Sequence, residues 1–434
     1  MDSFRAMGVI EREFQNMSIA HIIAFIDIPQ PLEILMNTAT DTTSQRPDQR
    51  LGRKYCFDDA DMDLFFMSAL GFGPTGGLDI GQAFHIASTI VDGDADSWVR
   101  SFAAYGEAQE ALADSWQARG HRRIAGETRL KAFASFRSAW QFAGATDTFG
   151  KLYARHKRAF AAAMDELDMP VTFFSTPYAG KQLPGAYFQN ANPDAPVLLI
   201  IGGADTCFED LFLGTGRNLL GRGYSVAMVD LPGQGITQAE GLHWEAEAEK
   251  PISAVIDQLI ARFGAQPGRI ALMGISLGGY FVIRAAGHET RLATVIASTP
   301  FPNPGQLFRL TIEAAMAKAK LDNAVPPTQA AQRSREVSMW KAGARTPQEF
   351  VARSAAMQAD PTRVTVPFLS IVGTGDSQVF AQQAQAWHSE IRSEHKAYVL
   401  LDAASGADGH CQVNNRLRLV QECCAWLDDI FAAA

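Results

Sequence analysis

Apolar positions along this chain follow two rhythms, and the change between them falls near residue 165. Before it, apolar residues recur at helical spacing over 57–73, 76–120 and 128–142, with breaks at Gly71 to Gly77, Asp92 to Asp96 and Gly120. After it, short unbroken apolar runs alternate with amphipathic stretches, the pattern of a mostly parallel sheet covered by helices. The runs 171–175 and 185–190 predict an opening hairpin. Those at 196–201, 224–230, 269–273, 292–298, 366–373 and 396–401 bring the sheet to about eight strands. Ile252 to Gly264 predicts an amphipathic helix closed by a glycine. From about 299 to 365 the chain is helical and rich in Ala, Lys and Gln. It is entered through Pro300, Pro302 and Pro304 and predicts a small lid over the strand ends. The chain therefore divides into a helical region, 1–165, and an α/β region, 166–434, with an insertion at about 299–365. Phe65, Phe66, Trp98, Phe102, Phe133, Phe136 and Trp140 of the first region are read as core.

The candidate chemistry sits at the ends of the predicted strands. Gly274-Ile-Ser276-Leu-Gly278 closes the run 269–273, the form of a sharp strand-to-helix turn that exposes a serine between glycines that let strand and helix approach. The run 366–373 breaks at Gly373 and Gly375 and delivers Asp376, and the small-residue loop after 396–401 ends in His410. A serine hydroxyl needs a base at neutral pH. The histidine in turn needs a carboxylate to fix its tautomer and stabilise its cation. Asp402 and Asp408 are the competing carboxylates. Asp402 precedes the histidine loop, and Asp408 is too near His410 in sequence to approach its ring from behind. Upstream, 196–201 ends at Gly202-Gly203, and the loop there supplies the second donor of an oxyanion site. The expected donors are the backbone amides of Ala204 and Leu277, with Gly203 shaping the loop. Asp205 and Thr206 equally read as caps of the next helix.

These motifs, with GDADSW at Gly93 to Trp98, RLKAFASFRSA at Arg129 to Ala139 and DLPGQG at Asp230 to Gly235, resemble one α/β-hydrolase subgroup. It contains 2,6-dihydroxypseudooxynicotine hydrolase, the fungal hydrolases that shorten a heptaketide, and the FrsA-like esterases. The resemblance runs from about residue 60 onward; the first 55 residues match no part of it. It implies an α/β-hydrolase fold preceded by an all-helical domain that closes over the active site and supplies much of the pocket. It also implies a triad of Ser276, Asp376 and His410. Several members use that triad to cleave a carbon–carbon bond beside a ketone in aromatic or polyketide-like molecules, and others are esterases. Some use a further acid, for which Glu313 and Asp205 are the candidates here, and relatives suggest a homodimer. One triad serves a carbon–carbon hydrolase, a carboxylesterase or thioesterase, and a non-hydrolytic acyltransferase or cyclase alike, because the substrate decides what leaves.

Composition narrows the setting. A chain of 434 residues with 47% hydrophobic content supports a large sheet domain and one more. A formal charge of −9 leaves no footprint for nucleic acid. The first residues lack the basic start and clean apolar stretch of a secretory signal. Ile19 to Ile28 is too short to span a bilayer and reads as a buried element or a dimer contact. A cytoplasmic enzyme of a small-molecule substrate, away from membranes, is expected. The five cysteines show no metal spacing, no nucleotide fingerprint is present, and neither metal nor cofactor is implied. Cys207, in the oxyanion loop, and Cys411, beside the candidate base, are read as packing residues.

Overall fold

A computed structural model describes residues 46–321 and 325–432; the run Ile19 to Ile28 lies outside them. Among the described residues five α-helices precede the sheet: α1 (Ala60–Gly71), α2 (Ile80–Ala87), α3 (Ala95–Ala118), α4 (Arg122–Trp140) and α5 (Asp147–Glu166). Side-chain caps set the starts of α1 and α3. Asp59 accepts from the amides of Asp61 and Met62, and Asp94 from those of Asp96 and Ser97, so the acidic break before Trp98 is a helix start.

The hairpin β1 (Val171–Tyr178) and β2 (Lys181–Phe188) turns at Ala179 and Gly180, both at positive φ as a two-residue turn of matching twist requires. β3 (Val197–Ile201) leads into α6 (Phe208–Leu211), a π turn (Phe212–Gly216) and α7 (Arg217–Leu220). Next come β4 (Ser225–Val229), α8 (Glu249–Phe263), β5 (Ile270–Ile275), α9 (Leu277–Ala286) and β6 (Leu292–Ser298). The insertion holds α10 (Pro304–Lys318), α11 (Gln329–Lys341) and α12 (Pro347–Ser354). The chain ends with β7 (Phe368–Gly373), α13 (Gln378–Glu390), β8 (Lys396–Leu401) and α14 (Arg416–Ala432).

The expected eight-stranded, mostly parallel sheet is present, in the order β1-β2-β4-β3-β5-β6-β7-β8. β2 is antiparallel to both neighbours, and every pair from β4 to β8 is parallel. Strand order reverses at β3 and β5, and a crevice at the carboxyl ends of such strands is where open α/β sheets place ligands.

Alternation along the strands assigns the two faces. Leu199, Ile201, Ala227, Val229 and Leu272 pack with α8 and α9. Their neighbours Leu198, Ile200, Val226, Met228 and Met273 join one buried cluster with Phe66, Trp98, Phe133 and Phe160 of the first helices and Leu419 and Leu427 of α14. The helices before the sheet thus share their core with one sheet face. Of the seven aromatic residues read as core, six are buried; Phe65 is only partly covered and lines the cavity described below. Among the described residues no helix is long and apolar enough to cross a membrane.

Candidate active site

Ser276 stands between β5 and α9 at φ 59° and ψ −123°, a conformation an L residue holds only when its surroundings impose it. The glycines around it make that possible. A Cβ on Gly274 would lie 2.2 Å from the Gly278 carbonyl oxygen, and one on Gly278 would lie 2.5 Å from those of Ile201 and Gly202. Backbone packs on backbone, and the serine stands just past the carboxyl end of β5.

His410 Nε2 lies 2.9 Å from Ser276 Oγ, and His410 Nδ1 lies 2.6 Å from Asp376 Oδ1. Thr299 Oγ1 donates to the other Asp376 oxygen at 3.0 Å. A carboxylate only accepts, so Nδ1 carries a proton and Nε2 of the neutral ring accepts from the serine. Burial opposes charge on His410, but the Asp376 carboxylate, with Cys411 adjacent, outweighs it and pushes the imidazole up to about 10. The rival carboxylates are engaged elsewhere: Asp402 accepts from the Ser405 amide and Asp408 from Asn414.

Gly203 lies against the serine, since a Cβ there would approach Ser276 Cβ to 2.6 Å. Beyond it, four successive carbonyl oxygens of the loop accept from side chains. Gln234 Nε2 donates to Gly202 and, at 2.9 Å, to Gly203; Lys341 Nζ donates to Ala204 at 2.6 Å; Arg137 donates to Asp205. With its carbonyls held this way, the loop presents its amides to the other side. Ala204 and Leu277 line the cavity with Ser276, and neither amide donates to any acceptor among the described residues. Leu277 is the first residue of α9, whose opening amides have no partner within the helix.

Gln234, Lys341 and Arg137 were not singled out in the sequence. They come from the turn after β4, the insertion and α4, so no spacing connects them. Arg137 is also paired with Asp210 in the buried interior. Asp205 does not cap the following helix, whose N-cap is Cys207. Its carboxylate instead meets Lys341 Nζ at 3.3 Å and Arg50 at 3.9 Å. Burial raises its pKa, but Lys341, Arg50 and Arg137 outweigh that and hold it below the usual range. Glu313, the other candidate acid, is on the exposed side of α10, paired with Arg309, and does not reach the site. Cys411 does more than pack: its thiol donates to the Ser298 carbonyl oxygen at 2.9 Å and receives the Ser276 amide at 3.1 Å.

A strap ahead of the first helix crosses this site. The Arg50 carbonyl oxygen accepts from the His410 amide at 2.8 Å, and that of Gln49 from the Ser377 amide at 3.0 Å. The Arg50 side chain turns into the cavity beside Asp61. That cavity, of about 530 Å³, contains Ser276 and His410 in its wall and is otherwise bounded mainly by the insertion, with Asp48 and Arg50 of the strap at one side.

His156, Cys207 and Glu209, all buried, bring possible ligand atoms within 4.8 Å of one another, a grouping that linear spacing did not reveal. His156 Nδ1, however, lies 3.1 Å from Trp140 Nε1. An indole N–H can only donate, so Nδ1 accepts and the proton sits on Nε2, the nitrogen that faces Cys207 and Glu209. With a proton on Nε2, this histidine turns no lone pair toward Cys207 and Glu209 for a metal ion to share.

The family profile described as serine aminopeptidase, S33, matches residues 191–405. The chain is 29% identical over 274 residues to the alpha/beta hydrolase ucsC of Acremonium sp, a match covering 57% of this chain and 55% of that one. It is 31% identical over 260 residues to the 20-hydroxy-prefusarin hydrolase FUS2 of Gibberella moniliformis, covering 57% and 61%. The chain has the α/β-hydrolase fold. The solved structure of 2,6-dihydroxy-pseudo-oxynicotine hydrolase superposes on 84% of this chain and 96% of its own, with a TM-score of 0.66 at 22% identity, a likeness of fold. The subgroup read from the motifs is the one these relatives represent. The matches cover little more than half the length of both curated fungal relatives.

Proposed function

We propose that this protein is a hydrolase that uses Ser276, His410 and Asp376 to cleave a carbon–carbon bond next to a carbonyl in an aromatic or polyketide-like small molecule. The observation that carries the reading is the unbroken hydrogen-bonded line from Ser276 Oγ through His410 to Asp376, opening on a cavity of about 530 Å³. That size is in the range of small-molecule pockets, roughly 300–1,000 Å³. Ser276 Oγ bonds to the carbonyl carbon as His410 Nε2 takes its proton, and the oxyanion is held by the Ala204 and Leu277 amides. Collapse breaks the adjacent carbon–carbon bond, and His410 gives its proton to the departing carbanion. Water, deprotonated by His410, then releases the acyl group as an acid. The names of two relatives, a 20-hydroxy-prefusarin hydrolase and a 2,6-dihydroxy-pseudo-oxynicotine hydrolase, support a substrate of secondary or aromatic metabolism. On this reading the region ahead of the sheet, with the strap and Phe65, forms one wall of the pocket.

The test is turnover of aryl β-diketones beside p-nitrophenyl esters by wild type and Ser276→Ala. Diketone cleavage that vanishes with the serine supports the proposal. Ester turnover alone makes the enzyme an esterase, and activity surviving in Ser276→Ala overturns the serine mechanism.

A further inference from the structure

The cavity extends well beyond the reacting atoms, along one face of α10. Every fourth residue from Leu307 through Thr311 and Ala315 to Ala319 lines it, and so does the adjacent row Phe308, Ile312, Met316. Two rows at this spacing form a continuous stripe on a helix. From Leu307 to Ala319 the stripe runs about 18 Å at the rise of an α-helix.

Its near end adjoins the chemistry. Phe301, just before α10, packs its ring 5.2 Å from that of Phe380, which in turn sits 4.9 Å from the His410 ring. Aromatic residues frame the start of the stripe: Phe308 lies 6.0 Å from Trp244 and 5.0 Å from Phe350. The far end is open, where Met316 is 48% exposed. The α11 part of the lining is largely polar. It includes Gln332 and Ser334, whose buried hydroxyl has no partner among the described residues.

Resting on the serine reading above, we infer that the stripe is a subsite for an elongated chain attached to the reacting carbonyl, apolar along the edge that meets α10 and able to carry oxygen on the edge that meets α11. A compact acyl group would leave Ile312, Ala315 and Met316 uncovered, whereas a chain of roughly 18 Å covers the whole stripe.

The experiment is the dependence of kcat/KM on acyl length, from p-nitrophenyl acetate to p-nitrophenyl palmitate, in wild type, Ala315→Trp, Ala319→Trp and Ala317→Trp. Ala315 and Ala319 line the cavity; Ala317 lies on the same helix, exposed and outside it. In wild type, kcat/KM is expected to climb with length, by up to about fourfold per methylene. Indole at 315 or 319 should cut the ratio of long-chain to short-chain kcat/KM at least about tenfold, while indole at 317 should not move it. Ser276→Ala, loaded with a fluorescent long-chain polyene acid, gives a binding readout free of turnover, and Ala315→Trp in that background should weaken binding. A flat length dependence, or the same ratio in all three indole variants, overturns the subsite and leaves the serine reading intact if Ser276→Ala is still inactive. Ester turnover that persists without the serine overturns the reading beneath it.

Discussion

Lys341 Nζ donates to the carbonyl oxygen of Ala204 at 2.6 Å, which ties the end of α11 to the loop beside Ser276. The amine is buried, and burial lowers its pKa while Asp205 opposes that fall. A charged group so placed fixes the plane of the peptide next to the expected oxyanion donor. Lys341→Met is expected to lower kcat by about ten- to a hundredfold with a smaller change in KM, because the interaction matters most when negative charge develops. Steady-state kinetics on any accepted ester reads the split, and an equal rise in KM with unchanged kcat would assign Lys341 to ground-state binding.

Two glycines should separate geometry from stability. Gly203→Ala places a methyl 2.6 Å from Ser276 Cβ and should displace the serine, reducing kcat on the order of a hundredfold. Gly278→Ala instead drives a methyl into the carbonyl oxygens of Ile201 and Gly202, both backbone atoms of β3 and its loop, and should lower Tm by several degrees or prevent folding. Paired thermal melts and kinetics check both.

The pH profile follows from His410. Against burial, Asp376 raises the His410 imidazole above the ordinary 6.5, so the basic form needed to accept the serine proton grows as pH rises through that raised value. The value of kcat/KM is expected to increase with pH through an apparent pKa above 6.5. Asp376→Asn removes the stabilising carboxylate and should move that inflection down while cutting kcat by several orders of magnitude. An unchanged inflection would mean that another group controls the profile.

Because the early helices and one sheet face share a single core, Phe133 should matter to the whole molecule. Phe133→Ala removes a fully buried ring and is expected to cost about 3–5 kcal/mol. Calorimetry should show one transition at lower temperature, coincident with loss of activity. Separate melting of the helical region, with activity retained, would show that the shared core does not couple them.

What the chain reveals before folding depends on where a signal is stored. The central strands are legible because both faces are buried, which writes continuous apolar runs such as 196–201 and 224–229 into the sequence. Ser276 is legible because its turn forbids side chains at Gly274 and Gly278. Asp376 and His410 are legible by their places after β7 and β8. Gln234, Lys341 and Arg137 were not, because a side chain that braces a loop from afar needs only length and a donor, and no spacing marks it. Phe65 misled for a related reason: an aromatic residue at helical spacing looks the same whether it fills a core or faces a cavity. Glu313 failed as an added acid because α10 turns it outward to Arg309.

The strap holds the acid and base loops through the carbonyl oxygens of Gln49 and Arg50, groups that every amino acid carries. Its grip on His410 and Ser377 is therefore indifferent to the side chain at either position, while the side chain of residue 50 reaches the cavity. The two tasks are separable along the same few residues. A substitution at position 50 therefore changes the wall that a substrate meets while leaving in place the main-chain bonds that align the acid and base loops.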